Sequence, residues 1–165
     1  MIELIVLDVD GTLTDGKITY SNSGEETKSF DVADGLAIAV WTKKFGKKAA
    51  IITGRSSFVV EKRAKELNIT HLHQGIKNKQ EVLEQILKEE NLSWNQVAAI
   101  GDDLNDYNML KKVGLSFTPA NGTHYLKEFV NVVCKNKGGE GAVREMLEYI
   151  FKEDGLEEEF LKAWL

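Results

Sequence analysis

Cysteine and proline are almost absent from this chain, and it contains no long apolar run. The single cysteine, Cys134, excludes an internal disulfide and a zinc site built from cysteines, so we expect a small buried apolar residue there. The single proline leaves no stiff linker that would mark a domain boundary. We therefore predict one domain over residues 1–165.

An excess of positive charge is also missing. The chain has 21 Lys and Arg against 26 Asp and Glu, which gives a net charge of −5. Nucleic acids and anionic membranes select clustered Lys and Arg, so neither is an expected partner. The N-terminus has no basic stretch followed by an apolar segment, which predicts a cytoplasmic protein. His71, His73 and His124 have no acidic or cysteine partner at ligand spacing, so we interpret them as structural or surface residues.

Short runs rich in Val and Ile alternate with helical patterns, which predicts an α/β fold with a doubly wound, Rossmann-like parallel sheet. Two further strand-like runs, Lys17–Tyr20 and Glu26–Phe30, flank a turn-rich stretch and predict a β-hairpin. The apolar C-terminal segment 156–165 is expected to dock on the domain. The strands predicted for the sheet are Leu4–Asp8, Ala49–Thr53, Thr70–His73, Val97–Gly101, Leu115–Phe117 and Val130–Val133.

Polar residues follow three of these strands at the point where each strand ends. Ligands bind beyond the carboxyl ends of parallel strands, so we expect these side chains to converge. Clustered carboxylates repel one another unless a cation neutralises them, and all-oxygen ligands suit Mg²⁺. Lys79, near the start of a later helix, would add a charge that favours phosphate. The candidates are Asp8, Asp10, Gly11 and Thr12, then Thr53, Gly54 and Arg55, and finally Gly101, Asp102, Asp103 and Asp106.

The same residues form four ordered motifs: DVDGTLTD at 8–15, TGR at 53–55, Lys79, and GDDLND at 101–106. Together they resemble the motifs of the haloacid dehalogenase-like superfamily, in its phosphatase branch. The resemblance spans nearly the whole chain. It implies a haloacid dehalogenase-like phosphatase domain that depends on Mg²⁺.

The resemblance also implies a role for each motif. Asp8 would attack phosphorus and form an aspartyl phosphate, and Asp10 would act as general acid and base. Asp8, the main-chain carbonyl of Asp10, and Asp102 would hold Mg²⁺. Thr53 and Lys79 would bind the phosphoryl oxygens.

Two acids of the last motif would support this set. Asp106 would hydrogen-bond metal-bound water or hold Lys79. For Asp103, a similar supporting role and simple solvent exposure both stay open.

The gaps between the motifs are too short to encode a cap domain, so recognition of a small substrate needs another source. The hairpin, residues 31–35 and the GGEGAVRE stretch at 138–145 resemble the 3-deoxy-D-manno-octulosonate 8-phosphate phosphatases. Those enzymes are tetramers whose subunits complete one another's sites. The resemblance implies a homotetramer acting on a sugar phosphate. Its implied substrate-binding residues are Asp10, Asp31, Val32, Ala33, Asp34, Gly35, Arg55, Arg63 and Lys79.

The residue after the Thr-Gly pair discriminates between related substrates. Phosphatases of nine-carbon 2-keto sugar acids have Glu there and Lys near the end of the next helix, where this chain has Arg55 and Glu66. Arg suits a substrate carboxylate, which favours the octulosonate. Arg63 is a second candidate, with a surface ion pair as its alternative, and Ala39 departs from the Arg that several relatives carry. A nine-carbon substrate and a non-catalytic oligomerising domain stay as alternatives.

Overall fold

Six parallel strands form the central sheet of the computed structural model, which describes residues 1–165. The strands of the sheet are β1 (Leu4–Leu7), β4 (Lys48–Ile52), β5 (His71–His73), β6 (Val97–Ile100), β7 (Leu115–Thr118) and β8 (Val132–Val133), and a separate hairpin pairs β2 (Thr19–Tyr20) with β3 (Glu26–Thr27). The order in the sheet is β5-β4-β1-β6-β7-β8. From β1 the chain adds β4 and β5 on one side, and then β6, β7 and β8 on the other side. The topological switch point therefore lies at β1.

Helices cover both faces of this sheet. They are α1 (Val32–Ala39), α2 (Phe58–Glu66), α3 (Lys79–Glu90), α4 (Tyr107–Lys112), α5 (His124–Lys127), α6 (Ala142–Glu153) and α7 (Glu157–Lys162). A π-helical turn (Val40–Lys44) extends α1, and 3-10 turns lie at Trp94–Gln96 and Leu104–Asp106. None of these helices combines the length and the apolarity that crossing a membrane requires.

The alternation of side chains along β1 explains the three layers. Ile5 and Leu7 join the apolar cluster formed with α1, α2 and α6, whereas Leu4 and Val6 join the cluster formed with α3, α4 and α5. All four residues are buried, as expected of a strand covered on both faces. The predicted doubly wound sheet is therefore confirmed.

The predicted strands are confirmed with small shifts at their ends. The last strand begins at Val132 rather than Val130, because the amide of Val130 still donates to Leu126 in the turn that ends α5. The hairpin is present but short, with Thr19 opposite Thr27 and Tyr20 opposite Glu26. Only the hairpin and α1 with its π-helical extension separate β1 from β4, so no cap domain is present.

Aromatic packing holds the C-terminal segment in place. Phe160 of α7 is 3% exposed and stacks on Phe151 of α6, with ring centroids 4.6 Å apart. Phe151 also meets Trp41 at 5.7 Å and Phe45 at 4.9 Å between centroids. The expected docking of this segment is confirmed.

Phe151→Ala should lower the free energy of unfolding by about 3–5 kcal/mol, because the ring is fully buried among three other aromatic side chains. Urea denaturation measures this loss. Leu161→Ala, at a position that is 55% exposed, is the control and should change stability by less than about 0.5 kcal/mol. Equal effects of the two substitutions would show that the aromatic cluster does not stabilise the C-terminal half.

Candidate active site

A polar cavity of about 280 Å³ lies at the carboxyl ends of β1, β4 and β6. Its lining contains no apolar residue and consists of Asp8, Asp10, Gly16, Thr53, Gly54, Arg55, Asp102, Asp103 and Asn105. The structure thus brings residues of all three predicted strand ends together. Among the predicted residues that do not line the cavity are Gly11, Thr12, Gly101, Asp106 and Lys79. Gly16 and Asn105 were not predicted, although Asn105 lies inside the fourth motif. A larger groove beside α3, of about 470 Å³, has one carboxylate in its lining, Glu84, and is not a candidate.

Lys79 connects two of the carboxylates. Its Nζ lies 2.6 Å from Asp8 Oδ1 and 2.6 Å from Asp106 Oδ1, and its side chain is 1% exposed. Lys79 is the first residue of α3, where the helix dipole disfavours a cation, so the two acids offset an unfavourable position. Burial alone would lower the pKa of Lys79, but Asp8 and Asp106 outweigh it and raise this pKa above its ordinary value.

Asp106 has both carboxylate oxygens occupied by donors of the protein. Oδ1 accepts from Lys79, and Oδ2 accepts from the backbone amides of Asp102 at 3.0 Å and Asp103 at 3.3 Å. Asp106 therefore holds Lys79, one of its two predicted roles. Asp103 is exposed and accepts from the amide of Leu104 at 2.7 Å, so its carboxylate caps the 3-10 turn.

Two buried acids, Asp8 and Asp106, share this site with the half-buried Asp102, and all three pKa values are raised. Burial is the main cause in each case and brings the pKa of Asp8 to about 7 and those of Asp102 and Asp106 to about 6. Lys79 opposes the shift at Asp8 and Asp106, while the neighbouring carboxylates add to it. A cation beside these groups would favour their ionised forms.

The oxygens left free in the cavity fit a hard cation. Asp8, Asp102 and Asp106 have ligand atoms within 4.8 Å of one another. Asp106 is fully occupied, whereas Asp8 Oδ2, both Asp102 carboxylate oxygens and the Asp10 carbonyl accept no hydrogen bond from the protein. This all-oxygen set suits Mg²⁺, and it comes from the three residues predicted as metal ligands.

The loop after β1 approaches Asp102 so closely that only glycine fits at position 11. Gly11 has φ +89°, and a Cβ there would lie 2.0 Å from Asp102 Oδ2. Asn121 holds the same loop from outside, because its Nδ2 donates to the Gly11 carbonyl at 2.9 Å while its Oδ1 accepts from Gly138 N at 2.7 Å. Asn121 belongs to no recognised motif, so sequence reasoning missed it.

Thr53 and Arg55 present polar groups to the cavity. Thr53 is 2% exposed, and its hydroxyl makes no hydrogen bond within the protein. Arg55 lies 3.1 Å from Glu26 Oε2 and 3.4 Å from the Tyr20 hydroxyl, both on the hairpin. Its Nε is buried without a partner in the protein. The free Thr53 hydroxyl and the exposed part of the Arg55 guanidinium, whose side chain is 40% exposed, are suitable donors for an anionic ligand.

The comparisons with known proteins agree with this geometry. A family model of haloacid dehalogenase-like hydrolases matches residues 72–147. The 3-deoxy-D-manno-octulosonate 8-phosphate phosphatase KdsC of Escherichia coli K12 is 41% identical over 155 residues, which are 93% of this chain and 81% of that protein. The chain belongs to the haloacid dehalogenase-like 3-deoxy-D-manno-octulosonate 8-phosphate phosphatase family.

Solved structures of this phosphatase family match almost the entire chain. The Moraxella catarrhalis enzyme, in complex with magnesium ion, phosphate ion and KDO, gives a TM-score of 0.95 at 39% identity and covers 99% of this chain and 94% of its own. The cobalt-bound Haemophilus influenzae enzyme gives 0.89 at 35% identity over 94% of this chain and 91% of its own. The family resemblance and the fold predicted from the sequence are both confirmed.

Residues 31–35 and Arg63, which the phosphatase resemblance implies in substrate binding, do not line the cavity. Asp31 caps α1 by accepting from the amides of Ala33 at 2.7 Å and Asp34 at 3.1 Å. Arg63 donates to the Asp31 carbonyl at 3.3 Å and pairs with Glu66 at 3.4 Å, so the alternative ion pair is present. A contact of these residues with substrate stays a prediction and would need a second subunit.

Asp34 is instead tied to α6. It is 1% exposed, and its Oδ1 accepts from the amide of Arg144 at 2.8 Å. Burial raises the pKa of Asp34 to about 6. Within one subunit, this carboxylate fixes the start of α6 against α1.

Mg²⁺ should bind less tightly as the pH falls below about 7, because protons compete for Asp8, with a pKa of about 7, and Asp102, with a pKa of about 6. Titration calorimetry at about pH 6, in two buffers of different ionisation enthalpy, should reveal proton release on binding that nearly vanishes at about pH 8.

The stability of the metal-free protein should depend on pH in the opposite direction. Raised folded-state pKa values mean that these groups favour folding more as the pH falls from about 7 toward 4.

Substitutions of two adjacent acids test the metal site: one removes a predicted ligand, and the other is its control. Asp102→Ala should weaken Mg²⁺ binding, because it removes a direct oxygen ligand. Asp103→Ser keeps a capping hydroxyl at an exposed position and should bind Mg²⁺ like the unchanged protein. An affinity that is independent of pH, or equal losses in both variants, would contradict the assignment.

Proposed function

We propose that this protein is a magnesium-dependent phosphatase that hydrolyses 3-deoxy-D-manno-octulosonate 8-phosphate to 3-deoxy-D-manno-octulosonate and phosphate. One observation carries the proposal: the chain is similar over nearly its full length to phosphatases of this substrate. The predicted nucleophile Asp8, the predicted acid Asp10 and the predicted metal ligand Asp102 line one cavity, which supports it. The same complete set argues against a non-catalytic oligomerising domain.

The first step transfers the phosphoryl group to Asp8. A carboxylate oxygen of Asp8 attacks phosphorus, the bond from phosphorus to the sugar oxygen breaks, and Asp10 donates a proton to that oxygen. The products are the free sugar and an aspartyl phosphate at Asp8. Lys79 uses two of its three N–H donors on Asp8 and Asp106, so the third is available to a phosphoryl oxygen, as is the Thr53 hydroxyl.

The second step restores the protein. Asp10, now ionised, takes a proton from water as the water oxygen attacks phosphorus, and the bond to Asp8 breaks to release phosphate. Mg²⁺, when held by Asp8, Asp102 and the Asp10 carbonyl, would offset the negative charge on the phosphoryl group. Asp106 keeps Lys79 in place through both steps.

Recognition of the sugar acid is assigned to Arg55. It lines the cavity beside the acids, its side chain is 40% exposed, and a guanidinium can bind a carboxylate through two hydrogen bonds. We infer that a second subunit supplies further contacts. Ile18 and Tyr20 on the hairpin are 47% and 60% exposed, and Val32 and Phe58 are 74% and 77% exposed. Apolar side chains of this size are suited to contacts between subunits of a homotetramer. The predicted cytoplasmic location stays a prediction.

Asp8→Asn should abolish turnover without unfolding the protein, because an amide keeps the shape of the carboxylate but cannot attack phosphorus. Asp10→Asn should reduce the rate by ~10²–10⁴-fold through loss of proton transfer. Phosphate release from the sugar phosphate measures both effects. Asp15→Asn, the same chemical change at an exposed acid, is the control and should leave turnover intact. An Asp8→Asn variant that keeps more than about 1% of the activity would refute the nucleophile.

Ile18→Glu should separate the subunits, because it would bury a charge wherever hairpins meet. Sedimentation velocity should find a tetramer for the unchanged protein and smaller species for the variant. KM should rise for the sugar phosphate and change little for p-nitrophenyl phosphate, which needs only the phosphate-binding part of the cavity. Leu161→Glu, at an exposed apolar residue of α7, should alter neither property. A monomeric unchanged protein with full activity would rule out a site completed by a neighbour.

A further inference from the structure

Lys28 is an unusually buried lysine for its position. It directly follows β3 in the two-stranded hairpin, where its neighbours Thr27 and Ser29 are exposed, yet its side chain is 1% exposed. Lysines on such surface elements ordinarily extend into water. The sequence motifs do not include Lys28, and the mechanism above does not use it.

Two carboxylates surround the Lys28 ammonium. Its Nζ lies 2.5 Å from Asp10 Oδ1 and 2.9 Å from Glu26 Oε1. Burial alone would lower the pKa of Lys28, but Asp10 and Glu26 outweigh it and raise this pKa, so the group stays charged at neutral pH. An ammonium buried this far would be costly without such partners, so its side chain is fixed by them.

Lys28 is also the only group of the protein that restrains the Asp10 carboxylate. Asp10 Oδ1 accepts from Lys28 and from nothing else, and Oδ2 accepts no hydrogen bond from the protein. A general acid has to be within hydrogen-bond reach of the leaving-group oxygen. A carboxylate without a restraint would rotate and lose this geometry for part of the time.

The ion pair belongs to a chain of charges that crosses the hairpin. Glu26 binds Lys28 through Oε1 and Arg55 through Oε2, the latter at 3.1 Å. Asp10 and Arg55 both line the cavity. The hairpin therefore connects two cavity residues through Lys28 and Glu26.

We propose that Lys28 is the positioning residue of Asp10: it holds Oδ1 so that Oδ2 is directed at the oxygen of the departing sugar. This rests on the proposed role of Asp10 in phosphoester hydrolysis. Lys28 acts through Asp10 and touches neither phosphorus nor the sugar. The orientation of the general acid thus depends on a residue of the hairpin.

The dependence of kcat/KM on the leaving group tests this role. The sugar alkoxide is a poor leaving group and needs the proton from Asp10, whereas p-nitrophenolate leaves without it. For Lys28→Met we expect kcat/KM to fall about 10–100-fold with the sugar phosphate, a part of the full general-acid effect. With p-nitrophenyl phosphate it should fall less than about threefold. Since kcat/KM reports only the steps up to leaving-group departure, a slow second step does not mask the difference.

A double-mutant cycle separates positioning from substrate contact. If Lys28 acts through Asp10, the double variant Asp10→Asn/Lys28→Met should be no slower than Asp10→Asn alone. Equal losses on both substrates, or losses that multiply in the cycle, would overturn the proposal. Lys17→Met removes an exposed lysine of the hairpin region and is the control.

Two further measurements show whether a result with Lys28→Met comes from unfolding of the variant, from an error in the proposed mechanism, or from an error in the role of Lys28. Thermal unfolding checks each variant, and Lys28→Gln, which keeps a polar head group, replaces Lys28→Met if the latter unfolds. It should give the same contrast between substrates. An active Asp8→Asn variant would refute the proposed function, whereas an inactive Asp8→Asn with a fully active Lys28→Met would refute this inference alone.

Discussion

One buried ammonium holds the catalytic loops together. Lys79 lies 2.6 Å from an oxygen of Asp8 and 2.6 Å from an oxygen of Asp106, out of contact with water. Removing a charge from water costs several kcal/mol unless partners replace its hydration, so these three groups are stable only as a set. Asp8 follows β1, Lys79 begins α3 and Asp106 ends the turn after β6. The arrangement of these loops and the chemistry of the cavity therefore depend on the same contact.

The charge in this cluster is not balanced by the protein alone. Asp8, Asp102 and Asp106 would carry three negative charges when ionised, and the one cation among them is Lys79. Because these carboxyl groups are partly or fully removed from water, their pKa values rise to about 6 or 7. Bound protons then compensate part of the negative charge. A divalent cation does the same without protonating Asp8. The need for a metal thus follows from how the acids are buried as much as from the reaction.

The sequence predicted the sheet and the acids of the cavity well, because both depend on local patterns. Apolar runs place β1 and β6, and Asp8 and Asp102 follow them within a few residues. Lys28 and Asn121 could not be predicted, because their partners Asp10 and Gly11 are distant in sequence and no motif contains them. Residues 31–35 were predicted to bind substrate, which stays a prediction, and within one subunit Asp31 caps α1 while Asp34 fixes α6. Nothing in the sequence distinguishes a helix cap from a ligand contact.

In the proposed tetramer, the hairpin would link assembly to chemistry. Only two residues pair in each of its strands, and an element of that size is not stable in water by itself. Its position is fixed by ion pairs, Lys28 to Asp10 and Glu26 to Arg55. Tyr20 lies directly opposite Glu26 and 3.4 Å from Arg55, and both Tyr20 and Ile18 are largely exposed. A neighbouring subunit packed on these two side chains would exclude water from the ion pairs beside them, and so stabilise the position of Asp10.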